Sequence, residues 1–177
     1  MSCFLFFSII KNREWENVHE VRKLAFNIVL HEPEIPANTG NIARTCAGTN
    51  TKLHLVRPLG FSTDDKMLKR AGLDYWENVD IFYYDSIQEL WDKYPEGRFF
   101  YATTKTEQYY SDVEYKDGDF IVFGKETAGI PIDILKANWD YTITIPMSEH
   151  IRSLNLSNSA NIILFEALRQ TNFPGLK

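Results

Sequence analysis

Phe26-Asn-Ile-Val-Leu-His31, then Asn38-Thr-Gly-Asn-Ile-Ala-Arg44-Thr-Cys-Ala-Gly-Thr49, then Lys52-Leu-His-Leu-Val56 read as strand, helix and strand in succession. The first segment is a short apolar run ended by Glu32-Pro33. The second has helical character, with Asn38 or Thr39 as the expected N-cap. The third alternates with period two and stops at Arg57-Pro58-Leu59-Gly60. A strand that returns through a helix pairs in parallel with its predecessor.

The alternation continues outward from this unit. Asp64–Ala71 reads as a helix, with Asp64 and Asp65 in its first turn, Lys69 and Arg70 in its last, and Gly72 beyond. Val79–Tyr84 is a strand, Ser86–Tyr94 a helix and Arg98–Thr103 a strand. Asp119–Phe123 is a buried strand running into Gly124. Pro131–Ala137 is a helix with proline in its first turn, and Tyr141–Ile145 is a strand ended by Pro146. Leu156–Gln170 is a long helix carrying apolar Ile162, Ile163, Phe165, Ala167 and Leu168. The pattern predicts an α/β domain with a mainly parallel sheet flanked by helices.

The 177 residues suit one domain with a full core. Apolar residues make up 44% and charged residues 24%, the balance of a folded chain. No run approaches the roughly 18 apolar residues of a membrane span. Cys3 and Cys46 are too few for a disulfide scaffold, which fits a reducing, cytoplasmic setting. The net charge is −5, so nucleic acid would have to be held by a local basic patch.

Residues 1–25 stand apart. Met1–Ile10 is apolar but short, with no basic leader and no small-residue cleavage site, so it does not read as a secretory signal. Lys11–Lys23 is polar with weak helical spacing. The expected single domain is 26–177, with residues 1–25 an extension or a misassigned start.

Motif spacing excludes several chemistries. No two glycines are spaced G-x-G, so the dinucleotide fingerprint is absent. Gly124 and Gly129 have phosphate-loop spacing, but Ile130-Pro131 follows in place of Lys-Ser/Thr. There is no G-x-S-x-G, H-E-x-x-H or C-x-x-C, and the four histidines are scattered. Neither a metal nor a serine nucleophile is expected.

Three strand-to-helix junctions carry the unusual polar density. They are Pro36–Arg44, Phe123–Pro131, and Ile145-Pro-Met147 followed by Arg152–Ser159. Ligands of open α/β sheets bind at the carboxyl ends of strands. The same residue types also favour caps and turns, and three such junctions in one short domain favour a ligand site.

Asn38-x-x-Gly-Asn-x-x-Arg44, Phe123-Gly-x-Glu-x-x-Gly-Ile-Pro131 and Ile145-Pro-Met…Ser153-Leu-Asn-Leu-Ser-Asn158 resemble, in order, the three motifs of the SPOUT RNA 2′-O-ribose methyltransferases. Arg57–Lys66 and Arg70–Trp76 resemble the branch acting on the wobble position of bacterial tRNA. The likeness spans about Phe26 to Phe173. It implies a C-terminal trefoil knot, a homodimer, S-adenosyl-L-methionine as cofactor, and the tRNA anticodon stem-loop as partner. The implied reaction is 2′-O-methylation of cytidine or modified uridine, with leucine isoacceptors as expected substrates. By position in the motifs, the cofactor contacts are Ala102, Gly124, Ile145 and Ser153, supported by Asn38, Glu126, Asn155 and Ser157.

Arg44 is the expected catalytic residue. The family's assignment makes the matching arginine a general base. A guanidinium has no acceptor and a pKa above about 12, so a competing role is to grip phosphate and stabilise a developing alkoxide. Asn38 caps its helix, holds Arg44, or both. Glu126 orders the knot loops or is a plain surface carboxylate. Ser153, Asn155 and Ser157 position cofactor or ribose, or cap the last helix. Lys66, Lys69, Arg70 and Arg152 are candidate RNA contacts, although Lys69 and Arg70 also suit a helix C-terminus. Tyr75 and Trp76 stack on a base or pack internally. The alternatives are a non-catalytic RNA-binding relative, a methyltransferase acting on another RNA such as rRNA, or one acting on a small molecule.

Overall fold

The computed structural model describes residues 25–62 and 78–177. Its elements run in the order β1 (Asn27–His31), α1 (Pro36–Thr49), β2 (Lys52–Val56), β3 (Ile81–Tyr84), α2 (Ile87–Lys93), β4 (Phe99–Ala102), β5 (Phe120–Phe123), α3 (Ile132–Ala137), β6 (Thr142–Ile143) and α4 (Leu156–Gln170). A single 3₁₀ turn, Trp139–Tyr141, leads into β6. The expected Asp64–Ala71 helix lies outside the described residues, as do Lys66, Lys69, Arg70, Tyr75, Trp76 and residues 1–24.

The sheet order is β3-β2-β1-β5-β4-β6, and the pairings are parallel throughout. The mainly parallel α/β expectation therefore holds. Side-chain alternation sorts the core into two layers. Ile28, Leu30, Leu53, Leu55, Ile121 and Phe123 face Ile42, Ala43 and Cys46 of α1 and Ile163, Leu164 and Ala167 of α4. Val29, Val56 and Val122 face Leu90 of α2 and Leu135 of α3. Burial on both faces explains why β1 and β5 read as continuous apolar runs. Each fully buried Leu, Ile or Val contributes about 1.5–3 kcal/mol of hydrophobic stabilisation.

Two local expectations change. Helix α1 begins at Pro36, with Ile35 as N-cap and no side-chain cap. The pyrrolidine ring presets the first helical φ and needs no donor, so Asn38 falls inside the helix with its amide available elsewhere. On α4, Ile163, Ala167 and Leu168 are buried, whereas Ile162 and Phe165 are 37% and 48% exposed.

The chain steps outward from β1 through β2 to β3, crosses to β4, and returns to insert β5 between β4 and β1. The loops leaving β1 and β5 therefore emerge side by side where the strand order reverses, the usual place for a ligand crevice.

His54, fully buried in β2, is held neutral. Its Nε2 lies 3.0 Å from Asn27 Oδ1 and its Nδ1 lies 3.0 Å from the Tyr84 hydroxyl. Asn27 Oδ1 can only accept, so Nε2 donates and Nδ1 accepts. Burial first, then Lys52 and Lys93, pushes the imidazole pKa down to about 3. An unfolded histidine titrates near 6.5. Below that pH the unfolded chain binds a proton that the folded chain refuses, so stability falls on acidification by about 1.4 kcal/mol per pH unit. Urea melts of His54→Gln should show a shallower loss of stability between pH 6.5 and 5 than wild type. Parallel slopes would remove His54 from this role.

Candidate active site

A cavity of about 580 Å³ opens at the carboxyl ends of the strands. Its walls come from four places: Ile35 and Asn38 after β1, Ala102–Lys105 after β4, Phe123–Ile130 at and after β5, and Ile143–Ile145, Met147 and Arg152–Leu156 after β6. The three polar junctions of the sequence thus meet at one cleft.

The loop after β5 is shaped by its glycines. Gly129 has φ +69°, a left-handed conformation that suits glycine. Its N–H donates to Lys125 O at 2.8 Å and closes the loop on itself. A Cβ on Gly124 would collide with the backbone of Gly129 and Ile130. Glycine at 124 therefore lets the two ends of the loop pack backbone to backbone beside the cavity.

One hydrogen-bonded chain ties the junctions together. Glu126 Oε2 accepts from Glu34 N at 2.8 Å, while Oε1 accepts from Ile35 N at 3.2 Å and from Asn38 Nδ2 at 2.8 Å. Asn38 is 5% exposed, and its Oδ1 accepts from Asn155 Nδ2 at 2.9 Å. A carboxylate can only accept, which fixes which end of the Asn38 amide points where. Asn155 Oδ1 accepts from the backbone N–H groups of Ser157 (2.9 Å) and Asn158 (3.3 Å) and from Ser157 Oγ (2.7 Å), capping α4.

Asn38, Ala102, Gly124, Glu126, Ile145, Arg152, Ser153 and Asn155 all line the cavity. Glu126 accepts three hydrogen bonds from the segment that follows β1. Ser157 lies outside the lining, buried in the α4 cap. Arg44 also lies outside it, on the exposed side of α1 together with Asn41. Lys66, Lys69 and Arg70 are outside the described residues. The reading of the sequence missed Thr103, Thr104 and Lys105 beyond Ala102. A run of polar residues directly after an apolar strand was the available signal. It also missed Glu34, which binds Thr127 of the cavity wall.

His31, 6% exposed at the end of β1, has its pKa lowered chiefly by burial. Among the described residues no cluster of three or more potential metal ligands occurs, and no helix is long and apolar enough to cross a membrane.

The strand order, the crevice at its reversal and the joined loops define a parallel α/β fold with a ligand cleft at the carboxyl ends of its strands. Residues 25–165 match the SpoU rRNA Methylase family, and the chain belongs to it. A Bacillus subtilis relative, provisionally named a tRNA (cytidine(34)-2′-O)-methyltransferase, is 59% identical over 87% of this chain and 98% of its own length. The tRNA (cytidine(34)-2′-O)-methyltransferase of Methylovorus glucosotrophus is 48% identical over 85% of this chain and 98% of its own. Among solved structures, a chain described in terms of 2-OH methylation of C/U34 on tRNA superposes with TM-score 0.80 at 39% identity, covering 85% of this chain and 98% of that one. An AdoMet complex of a SpoU methyltransferase from Streptomyces viridochromogenes, 22% identical with TM-score 0.73 over 85% of this chain and 58% of that one, shares the fold.

Asn38→Asp tests the chain of hydrogen bonds. It sets a second carboxylate where an amide now donates to Glu126 at 2.8 Å. Two carboxylates so close cannot both ionise, so one pKa rises in the folded state. The folded form then binds more protons than the unfolded form, and stability returns as pH falls. The melting-temperature deficit of Asn38→Asp against wild type should shrink between pH 8 and pH 5. A pH-independent deficit would contradict the arrangement.

Proposed function

We propose that this chain transfers a methyl group from S-adenosyl-L-methionine to the ribose 2′-oxygen of the wobble nucleotide, cytidine or modified uridine 34, of tRNA. The observation that carries the reading is the convergence of Asn38, Glu126 and Asn155 on one cavity. Membership of a methylase family and the names of the relatives support the substrate.

The cavity fits the cofactor. Its volume lies within the range of about 300–1,000 Å³ typical of small-molecule sites. Ile130, Ile145 and Leu154 offer apolar walls for a flat base, and Thr103, Ser153 and Asn155 offer polar groups for a sugar or an amino acid. The cofactor supplies an electrophilic methyl on a sulfonium centre. Ala102, Gly124, Ile145 and Ser153 hold it, with Glu126 and Asn155 keeping the loops in register and Ser157 supporting Asn155. Alignment of nucleophile and methyl supplies the main gain.

The proton of the 2′-hydroxyl passes to solvent water, since a guanidinium accepts none at neutral pH, and the role of Arg44 is to bind the phosphate beside the target sugar and to stabilise the negative charge developing on the oxygen. The place of Arg44 outside the cavity lining supports a homodimer, in which a second copy covers the outer face of α1 and α4. Ile162 and Phe165 of α4 are apolar and exposed. The reading includes the trefoil knot, supported by residues 143–156 returning to the same cavity as 102–105 and 123–130. Arg152, at the cavity, and Lys66, Lys69 and Arg70 serve the anticodon stem-loop. Residues 26–177 act as one catalytic domain, with 1–25 outside it.

Purified protein with labelled cofactor should methylate tRNA, and mapping should find the methyl group at nucleotide 34. A transcript carrying 2′-deoxyribose at that position should accept none. Arg44→Ala should lower kcat by about 10²–10³-fold, in the range for loss of one oxyanion-stabilising donor, with Arg44→Lys between it and wild type. Methylation of rRNA alone would replace the substrate assigned here. Light scattering should read a dimer, weakened by Phe165→Glu.

A further inference from the structure

We infer that Glu34 is a positioning residue for the methyl-donor cavity, latching its glycine loop in place from outside, and that Gly60 is the strut that holds Glu34. The inference rests on the methyltransferase reading above and adds residues that lie outside the cavity lining.

Glu34 is engaged at both ends. Its backbone N–H donates to Glu126 Oε2 at 2.8 Å. Its side-chain Oε2 accepts from Thr127 N at 3.1 Å and from Thr127 Oγ1 at 2.7 Å. The loop before α1 and the loop after β5 therefore hold each other reciprocally. Each presents a glutamate to the other's backbone. A neighbouring ion pair, Lys125 Nζ to Glu32 Oε2 at 2.9 Å, closes the same seam. Thr127, Ala128 and Gly129 line the cavity, and the Lys125–Gly129 bridge closes the loop that carries them. A shift at Thr127 is therefore felt at the cavity wall.

Gly60 backs this latch. Its N–H donates to Pro33 O at 2.9 Å. A Cβ there would stand 2.7 Å from Glu34 Cα and 3.0 Å from Glu34 O, so any larger residue pushes the Glu34 backbone away. Gly60 is not one of the residues that line the cavity. It offers a way to disturb the latch from behind.

The test uses the full chain and two readouts. Titration calorimetry with S-adenosyl-L-methionine should show about tenfold weaker binding for Glu34→Ala and for Gly60→Ala. Glu34→Gln keeps an acceptor oxygen facing Thr127 and should bind within threefold of wild type. The KM for tRNA should stay within twofold in all three. Amide hydrogen exchange should be faster at Thr127 and Gly129 in Glu34→Ala and Gly60→Ala, and restored in Glu34→Gln. This second readout needs no ligand. Wild-type protein that binds no S-adenosyl-L-methionine would sink the proposed function, while exchange at Thr127 would still decide the latch. Unchanged exchange in Glu34→Ala, or a Glu34→Gln variant as impaired as Glu34→Ala, would overturn the inference.

Discussion

The amide of Asn38 is the joint on which the site depends. It lies in the first turn of α1, buried, with its nitrogen on Glu126 and its oxygen on Asn155. Those partners are 88 and 117 residues away in sequence. No other common side chain of this size presents a donor and an acceptor in opposite directions. Leucine would remove one of the three donors to Glu126 and the acceptor of Asn155 Nδ2, and a part-buried donor left without its acceptor costs about 1–3 kcal/mol. Aspartate would oppose the carboxylate. One residue thus joins the loop after β5 to the start of α4.

That joint works because the sheet delivers its partners to one place. Parallel strands all point their carboxyl ends the same way, and inserting β5 beside β1 sets the 32–35 and 124–129 loops in contact. Glycine at 124 lets the loop fold back onto its own backbone. Helix α4 then starts at the cavity because Asn155 caps it while reaching Asn38. Fold and site share the same hydrogen bonds, so weakening one loop shifts the next.

Much of the fold was legible along the chain. Helix α4 spans Leu156–Gln170 as its pattern indicates, and β2 spans Lys52–Val56. The strands were readable because burial on both faces leaves unbroken apolar runs. The three polar junctions pointed to one cavity, and most of the residues named from them line it. What escaped was long-range. Asn38 looked like a cap because asparagine near a helix start usually is one, but Pro36 had already begun the helix. The Glu34 clasp spans 93 residues and leaves no local trace. The outward turn of Ile162 and Phe165 could not be read from apolar spacing alone, since adjacent apolar residues such as Ile162 and Ile163 do not say which of them faces the core.

The most direct measurement is a mutant cycle on the cofactor affinity of Glu126→Ala and Asn155→Ala, run with and without Asn38. These two side chains are joined through Asn38. With Asn38 present, the double variant should depart from additivity by about 0.5–3 kcal/mol, as for members of one hydrogen-bond network. In the Asn38→Ala background the coupling should vanish. Additive effects with Asn38 present, or coupling that survives its removal, would contradict the account.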